Sequence, residues 1–77
     1  MQKLSVAYSN VIIDRRTNEK IYWFEAGFGN TDLCSYCFGL DEKGNCITAS
    51  GSFLDLEHET QEKFVEIARQ LLTKVLS

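Results

Sequence analysis

Three cysteines and one histidine are the side chains of this sequence best suited to metal binding or redox chemistry. Together, Cys34, Cys37, Cys46 and His58 supply the number and types of ligands that a structural zinc ion takes. Cys34 and Cys37 also form a CxxC motif, which is the spacing of thioredoxin-like redox sites. Zinc binding and thiol redox chemistry are therefore the two chemical functions that these residues offer.

The spacing and context of the cysteines argue against both functions. A redox CxxC normally begins a helix, whose dipole lowers the thiol pKa, whereas residues 33–40 are predicted here to form a strand. Because strand side chains alternate between faces, Cys34 and Cys37 should point apart. Cys46 should pair with Leu40, which lies six residues along the strand from Cys34. At about 3.3 Å per residue, Cys46 and Cys34 would be about 20 Å apart. We therefore predict no cofactor and keep a zinc or thiol protein as the alternative.

No catalytic constellation accompanies these side chains. His58 lies between two glutamates, as is typical of a solvated loop, and the sequence indicates no third group that would orient a cysteine–histidine pair. The serines around Ser50 lack the GxSxG pattern of a nucleophile elbow, and residues 27–30 lack the lysine of a phosphate loop. A small-ligand site beside Thr48 and Ser52 would need a concavity that a flat sheet lacks. The sequence predicts a protein that is not an enzyme.

The hydrophobic pattern predicts the elements that position these residues. Its period is near two before about residue 54 and near 3.6 after about residue 60. This change predicts four strands followed by an amphipathic helix that begins at an N-cap, Thr60. The predicted strands are residues 4–13, 20–28, 33–40 and 46–54, and the predicted helix is residues 60–76.

Two turn sequences predict how the strands pair. Residues 41–44, Asp-Glu-Lys-Gly, fit a type I turn followed by a left-handed glycine, which pairs Leu40 with Cys46. Residues 15–18 should turn the first hairpin, with Asn18 left-handed and Asp14 opposite Lys20. Sequential strands usually neighbour one another. We therefore predict a single α+β domain over residues 1–77: a four-stranded antiparallel β-meander of two hairpins, with one C-terminal amphipathic α-helix packed on one sheet face.

Both faces of the predicted sheet carry apolar side chains. One helix is about 10 Å across and four strands span about 15–19 Å, so the helix cannot cover both faces. An uncovered apolar face rich in aromatic residues is typical of a protein interface, unless the sheet curls or N-terminal residues cover it. The predicted partner-binding residues on this reverse face are Val11, Ile13, Ile21, Trp23, Tyr36, Phe38 and Leu40.

Composition restricts the class of partner. The net charge of −3 and the pI of about 5.0 argue against nucleic acid, which is normally bound by a basic patch. The N-terminus lacks the apolar region of a signal peptide, and no run approaches the length that spans a bilayer. An odd number of cysteines is not typical of a secreted disulfide framework. We predict a cytoplasmic, non-enzymatic interaction module (an inhibitor, adaptor or accessory regulator) that forms a homodimer or binds another protein.

Overall fold

The chain forms one antiparallel sheet followed by helix, in a computed structural model that describes residues 3–29 and 35–77. The strands are neighbours in chain order, so the predicted α+β meander with a C-terminal helix is confirmed. The elements are β1 (Leu4–Ile13), β2 (Lys20–Phe28), β3 (Tyr36–Leu40), β4 (Cys46–Ala49), α1 (Gly51–Leu54) and α2 (His58–Leu76).

The fourth strand ends earlier than its sequence pattern predicts. Ser50 interrupts it, because the Ser50 hydroxyl accepts a hydrogen bond from Phe53 N at 3.4 Å and the Ser50 carbonyl accepts one from Leu54 N at 3.1 Å. These bonds begin α1 and place the Phe53 ring in the core, where it is 1% exposed. The prediction of a strand over residues 46–54 is therefore wrong beyond Ala49. The predicted start of β3 at residues 33–34 lies outside the described residues.

The long helix begins two residues before the predicted N-cap. Glu57 occupies that position without a side-chain capping bond, and Thr60 lies inside the helix, so the prediction for Thr60 is wrong. The Gln61 side-chain amide instead donates to Leu56 O at 2.8 Å and to Leu54 O at 3.1 Å. Since unpaired carbonyls at a helix end need donors, these two bonds connect the first turn of α2 to the end of α1.

The turn between β3 and β4 follows its sequence signature. Gly44 has a φ of 87°, and its N–H donates to Asp41 O at 3.0 Å. Leu40 pairs with Cys46, as predicted. The register then shifts by one residue, so that Phe38 pairs with Ala49 and not with Thr48, which an unbroken continuation of the predicted register would give.

The Asp41 carboxylate holds this turn together. Burial raises the pKa of Asp41, but hydrogen bonds from the backbone and side chain of Asn45 and from Lys43 N outweigh it, so the pKa lies below its ordinary value. The two backbone bonds to Asp41 Oδ1 are both 2.9 Å long. A carboxylate with a lowered folded-state pKa stabilises the fold above its unfolded pKa and loses that contribution as it becomes protonated.

We expect the stability of the wild-type protein to fall as the pH drops below about 4, partly because Asp41 is protonated there. In Asp41→Asn the amide cannot ionise, so the variant should be less stable than wild type at pH 7 and should lose less stability between pH 5 and pH 3. Urea unfolding at each pH measures both quantities. Parallel pH profiles for the two proteins would contradict this role for Asp41.

The first hairpin closes one residue away from its predicted register. Asn18 has a φ of 60°, which is the left-handed conformation predicted for it. Asp14 N donates to Glu19 O at 2.8 Å, and Ile13 pairs with Lys20. The predicted pairing of Asp14 with Lys20 is therefore wrong.

A β-bulge in β1 changes the face to which the end of that strand belongs. The register shifts between Tyr8 and Asn10, so that Tyr8 pairs with Phe24 while Asn10 pairs with Trp23. Residues paired across two strands share a face. Four pairs therefore lie on the side of the sheet that faces α2: Leu4–Phe28, Val6–Ala26, Tyr8–Phe24 and Val11–Tyr22. The reverse face receives Ala7–Glu25, Asn10–Trp23 and Ile12–Ile21.

The core lies between the helix side of the sheet and the two helices. Phe38 pairs with Phe24, and the two rings stack with centroids 5.9 Å apart. Phe38 also contacts the Phe53 ring at 4.7 Å, and Phe53 lies 6.2 Å from Phe64 on α2. The buried hydrophobic residues are Tyr22, Phe24, Ala26, Phe38, Leu40, Phe53, Phe64, Val65, Ala68 and Leu72.

The second hairpin presents its large side chains to this core. Because β3 pairs with β2 through Phe24–Phe38, the alternate residues Tyr36, Phe38 and Leu40 all lie on the helix side. Phe38 and Leu40 are completely buried, and Tyr36 packs against the core. The prediction that these three residues form part of the reverse face is wrong.

Candidate functional site

The described cysteines lie on opposite faces of the sheet. Cys37 alternates with Phe38 and so lies on the reverse face, where it pairs with Glu25. Cys46 pairs with Leu40 on the helix side. Cys34 lies outside the described residues, so the four-ligand zinc set and the CxxC pair stay predictions. Within residues 3–29 and 35–77, no group of three or more His, Cys, Asp or Glu side chains is arranged to hold a metal ion.

Cys46 and His58 do share one surface feature, an open groove of about 620 Å³ between β4, α1 and α2. Phe53 and Val65 form part of its apolar lining, and Arg69 lies along its side. Polar and charged side chains of α2 contact one another along this groove: His58 Nε2 lies 2.9 Å from Glu62 Oε1, Lys63 pairs with Glu59 at 3.6 Å and Arg69 pairs with Glu66 at 3.2 Å.

The chemistry of this groove does not favour a nucleophile. Burial raises the pKa of the Cys46 thiol, and the smaller opposing effects of a backbone hydrogen bond with Thr48 and of the Arg69 charge do not reverse the shift. An activated cysteine needs the opposite, a thiolate stabilised by a neighbouring base or cation. Arg69 instead holds the β3–β4 turn, since its Nε donates to Gly44 O at 2.8 Å. The Arg69 side chain beside the groove therefore connects α2 to the sheet.

The reverse face of the sheet has a closely packed apolar centre over Gly39. A Cβ atom at Gly39 would lie 2.6 Å from Ile21 Cγ2, 2.8 Å from Thr48 Cγ2 and 3.7 Å from Trp23 Cδ2. These side chains therefore occupy the space that the glycine leaves empty. The Trp23 Nε1 atom is buried and has no hydrogen-bond partner among the described residues. With Ile12 beside Ile21, we name the group Ile12, Ile21, Trp23 and Thr48 the reverse-face patch.

The end of β1 is the most exposed apolar run in the described part of the chain. Val11, Ile12 and Ile13 are consecutive and are 45%, 44% and 55% exposed. We name these three residues the β1 tip. Other large apolar side chains, such as Ile47 and Leu54, are exposed singly or in pairs. Single exposed apolar residues are normal on a protein surface, whereas several exposed apolar side chains side by side mark a surface that suits an interaction.

The structure divides the seven predicted partner-binding residues into three groups. Val11 and Ile13 belong to the β1 tip, which puts them on the helix side of the sheet, so their predicted position on the reverse face is wrong. Ile21 and Trp23 lie half-buried in the reverse-face patch. The third group is Tyr36, Phe38 and Leu40, which face the core. Sequence reasoning missed Ile12, because the first hairpin closes one residue away from its predicted register and so pairs Ile12 with Ile21 on the reverse face.

Among the described residues, none of the helices has the length and apolar character that crossing a membrane requires. Comparison of the chain with protein-family models, with curated proteins and with solved structures finds no match.

Proposed function

We propose that this protein is a non-enzymatic protein–protein interaction module, and that it binds through the β1 tip and the adjoining reverse-face patch. The exposure of three consecutive β-branched residues carries the proposal. Fully burying one such side chain contributes about 1.5–3 kcal/mol, so a partner that covers this run gains substantial binding energy. Roles as an inhibitor, an adaptor or an accessory regulator all fit such a surface.

The position of β1 in the sheet supports the proposal. β1 is an edge strand, since the described sheet has no strand beyond it. Natural edge strands are usually protected by charged residues or proline, yet residues 4–13 contain neither. An uncharged edge with an exposed apolar end suits strand addition, in which a partner extends the sheet.

The kind of partner follows from charge. The net charge of −3 disfavours nucleic acid, and the apolar surface favours another protein or a second copy of the chain. A cytoplasmic location belongs to the same proposal, because the free thiols of Cys37 and Cys46 suit a reducing compartment.

Replacement of Ile12 by serine should weaken the proposed interaction about tenfold, because it removes roughly 1.4 kcal/mol of apolar burial at the interface. The exposed Ile12 side chain contributes little to the core, so the fold should survive. Sedimentation equilibrium measures self-association, and affinity capture from a lysate of the native host followed by titration with the captured protein measures partner binding.

Leu54→Ser is the matched control, because Leu54 is 61% exposed and lies on α1, away from the β1 tip. It should bind as tightly as wild type. The proposal fails if wild-type protein is a strict monomer at high concentration and the three proteins capture the same host proteins with equal affinity.

A further inference from the structure

We infer that the partner of the β1 edge is a second copy of this chain, and this inference rests on the proposed function. The two β1 strands pair in antiparallel fashion about a two-fold axis that passes between Tyr8 and Ser9. In this register Leu4 pairs with Ile13 of the second copy and Val6 with Val11 of the second copy. The two four-stranded sheets then form one continuous sheet.

The direction of the backbone groups in β1 supports this register. Lys3 O accepts from Gly29 N at 2.7 Å, and Asp14 N donates to Glu19 O at 2.8 Å, so both residues direct backbone groups towards β2. Since hydrogen-bonding direction alternates along a strand, Leu4 and Val6 in the first half of β1, and Val11 and Ile13 in the second half, direct theirs outward. The inferred register pairs these outward-directed residues with one another.

The bulge at Ser9 makes the two halves of β1 complementary. Before the bulge, even-numbered residues such as Leu4 and Val6 lie on the helix side, and after it the odd-numbered Val11 and Ile13 do. A two-fold axis between residues 8 and 9 pairs even-numbered with odd-numbered residues, which in a regular strand would set opposite faces together. In this strand it joins apolar side chains on the helix side of both copies.

Charges at the ends of the strand favour the same register. Lys3 and Asp14 flank the uncharged residues 4–13, and continuing the alternation of β1 by one residue at each end assigns both to the reverse face, where the Asp14 carboxylate also accepts from Arg16 N at 2.9 Å. The inferred register sets Lys3 of each copy opposite Asp14 of the other, so two opposite-charge pairs close the two ends of the interface. Opposite-charge cross-strand pairs are favourable, and like charges opposite one another are not.

The packing of α2 leaves this edge available. α2 packs on the face of the sheet, where it contacts β1 and reaches Gly44 at the β3–β4 turn through Arg69. The helix thus covers the inner face, while the outer edge of β1 has no neighbouring strand in the described part of the chain. Residues Ser9–Ile13 are all exposed there.

A charge-reversal cycle tests the charged pairs. By sedimentation equilibrium at low salt, Lys3→Glu and Asp14→Lys should each weaken dimerisation about tenfold, because each replaces two attractive pairs with two repulsive ones. The double variant Lys3→Glu/Asp14→Lys should recover most of the affinity, and the differences should shrink at high salt. A dimerisation affinity that is unchanged in both single charge-reversal variants would overturn the inference. Circular dichroism checks that each variant is folded.

Disulfide trapping tests the register without altering the charges. Ser5 should face Ile12 of the second copy in a non-hydrogen-bonded pair, with Cα atoms about 4.5 Å apart. In a background with Cys34, Cys37 and Cys46 replaced by serine, oxidation of a mixture of Ser5→Cys and Ile12→Cys proteins should give the mixed dimer as the main product. Cross-linking of either protein with itself to an equal extent would overturn the register.

The two proposals fail in different ways. A wild-type chain that stays monomeric while Ile12→Ser loses binding to another protein would overturn the second-copy inference and leave the interaction module standing. If the wild-type chain is monomeric and its β1 tip variants bind every captured protein with wild-type affinity, both proposals are overturned.

Discussion

Replacement of Phe38 by alanine should lower the free energy of unfolding by about 3–5 kcal/mol, the usual cost of truncating a buried aromatic side chain. The Phe38 ring is fully buried between Phe24, at a centroid distance of 5.9 Å, and Phe53, at 4.7 Å. Removing it deletes both ring contacts and leaves a cavity between the sheet and α1. Those neighbours belong to separate elements, so little local rearrangement can fill the space.

The small size of the chain makes this loss severe. A domain of 77 residues has a total stability of roughly 4–12 kcal/mol, so Phe38→Ala should lose a large fraction of it, and at the lower end of that range the variant should be partly unfolded at 25 °C. Urea unfolding followed by circular dichroism measures the change. Leu54→Ala is the matched control, since Leu54 is 61% exposed on α1, and it should cost less than about 1 kcal/mol. A Phe38 variant that keeps wild-type stability and gains solubility would instead place this ring on the outer surface.

Turn chemistry and hydrophobic period predict most of the fold from the sequence. Gly44 and Asn18 both adopt the left-handed conformation that their positions require. The change in period near residue 54 predicts four strands before the long helix, and the strand order follows from short connections. These features depend on neighbours close in the chain, which a sequence shows directly.

The face assignments could not be predicted, because they depend on pairing between distant residues. The alternation within β3 groups Tyr36, Phe38 and Leu40 correctly, but it does not determine which side of β2 they join. That choice is made by the Phe24–Phe38 pair. The bulge in β1 then shifts the pairing of the β1 tip by one residue relative to the first half of the strand. Because strand side chains alternate between the two faces, a shift of one residue moves each side chain to the opposite face.

The start of α1 shows a different limit of sequence reasoning. Residues 46–54 alternate well enough to predict one long strand, yet Ser50 ends it by capping the next helix. Serine favours helix N-caps as well as turns, so the residue type was compatible with either outcome. The burial of Phe53 against Phe38 decides between them, and that contact is tertiary.

The candidate site was only partly predictable for the same reason. Ile21 and Trp23 do lie on the reverse face, where the sequence places them. The two residues occupy alternate positions in β2, and alternate side chains of a strand share a face. Cys37 and Gly39 of β3 border them on that face. Their neighbours Ile21 and Thr48 fill the space over the glycine, and this packing predicts a strong response to any added side chain.

Replacement of Gly39 by alanine should destabilise the protein by about 1–3 kcal/mol, the usual cost of overpacking. The new Cβ would lie 2.6 Å from Ile21 Cγ2 and 2.8 Å from Thr48 Cγ2, and both methyl groups belong to β-branched side chains that are stiff at χ1. Thr48→Ser removes one of them, so Gly39→Ala/Thr48→Ser should recover part of the loss in urea unfolding. Gly51→Ala is the control, since its Cβ meets nothing within 4 Å. Equal effects of the two alanines, without recovery in the double variant, would show that the reverse-face patch does not close over Gly39.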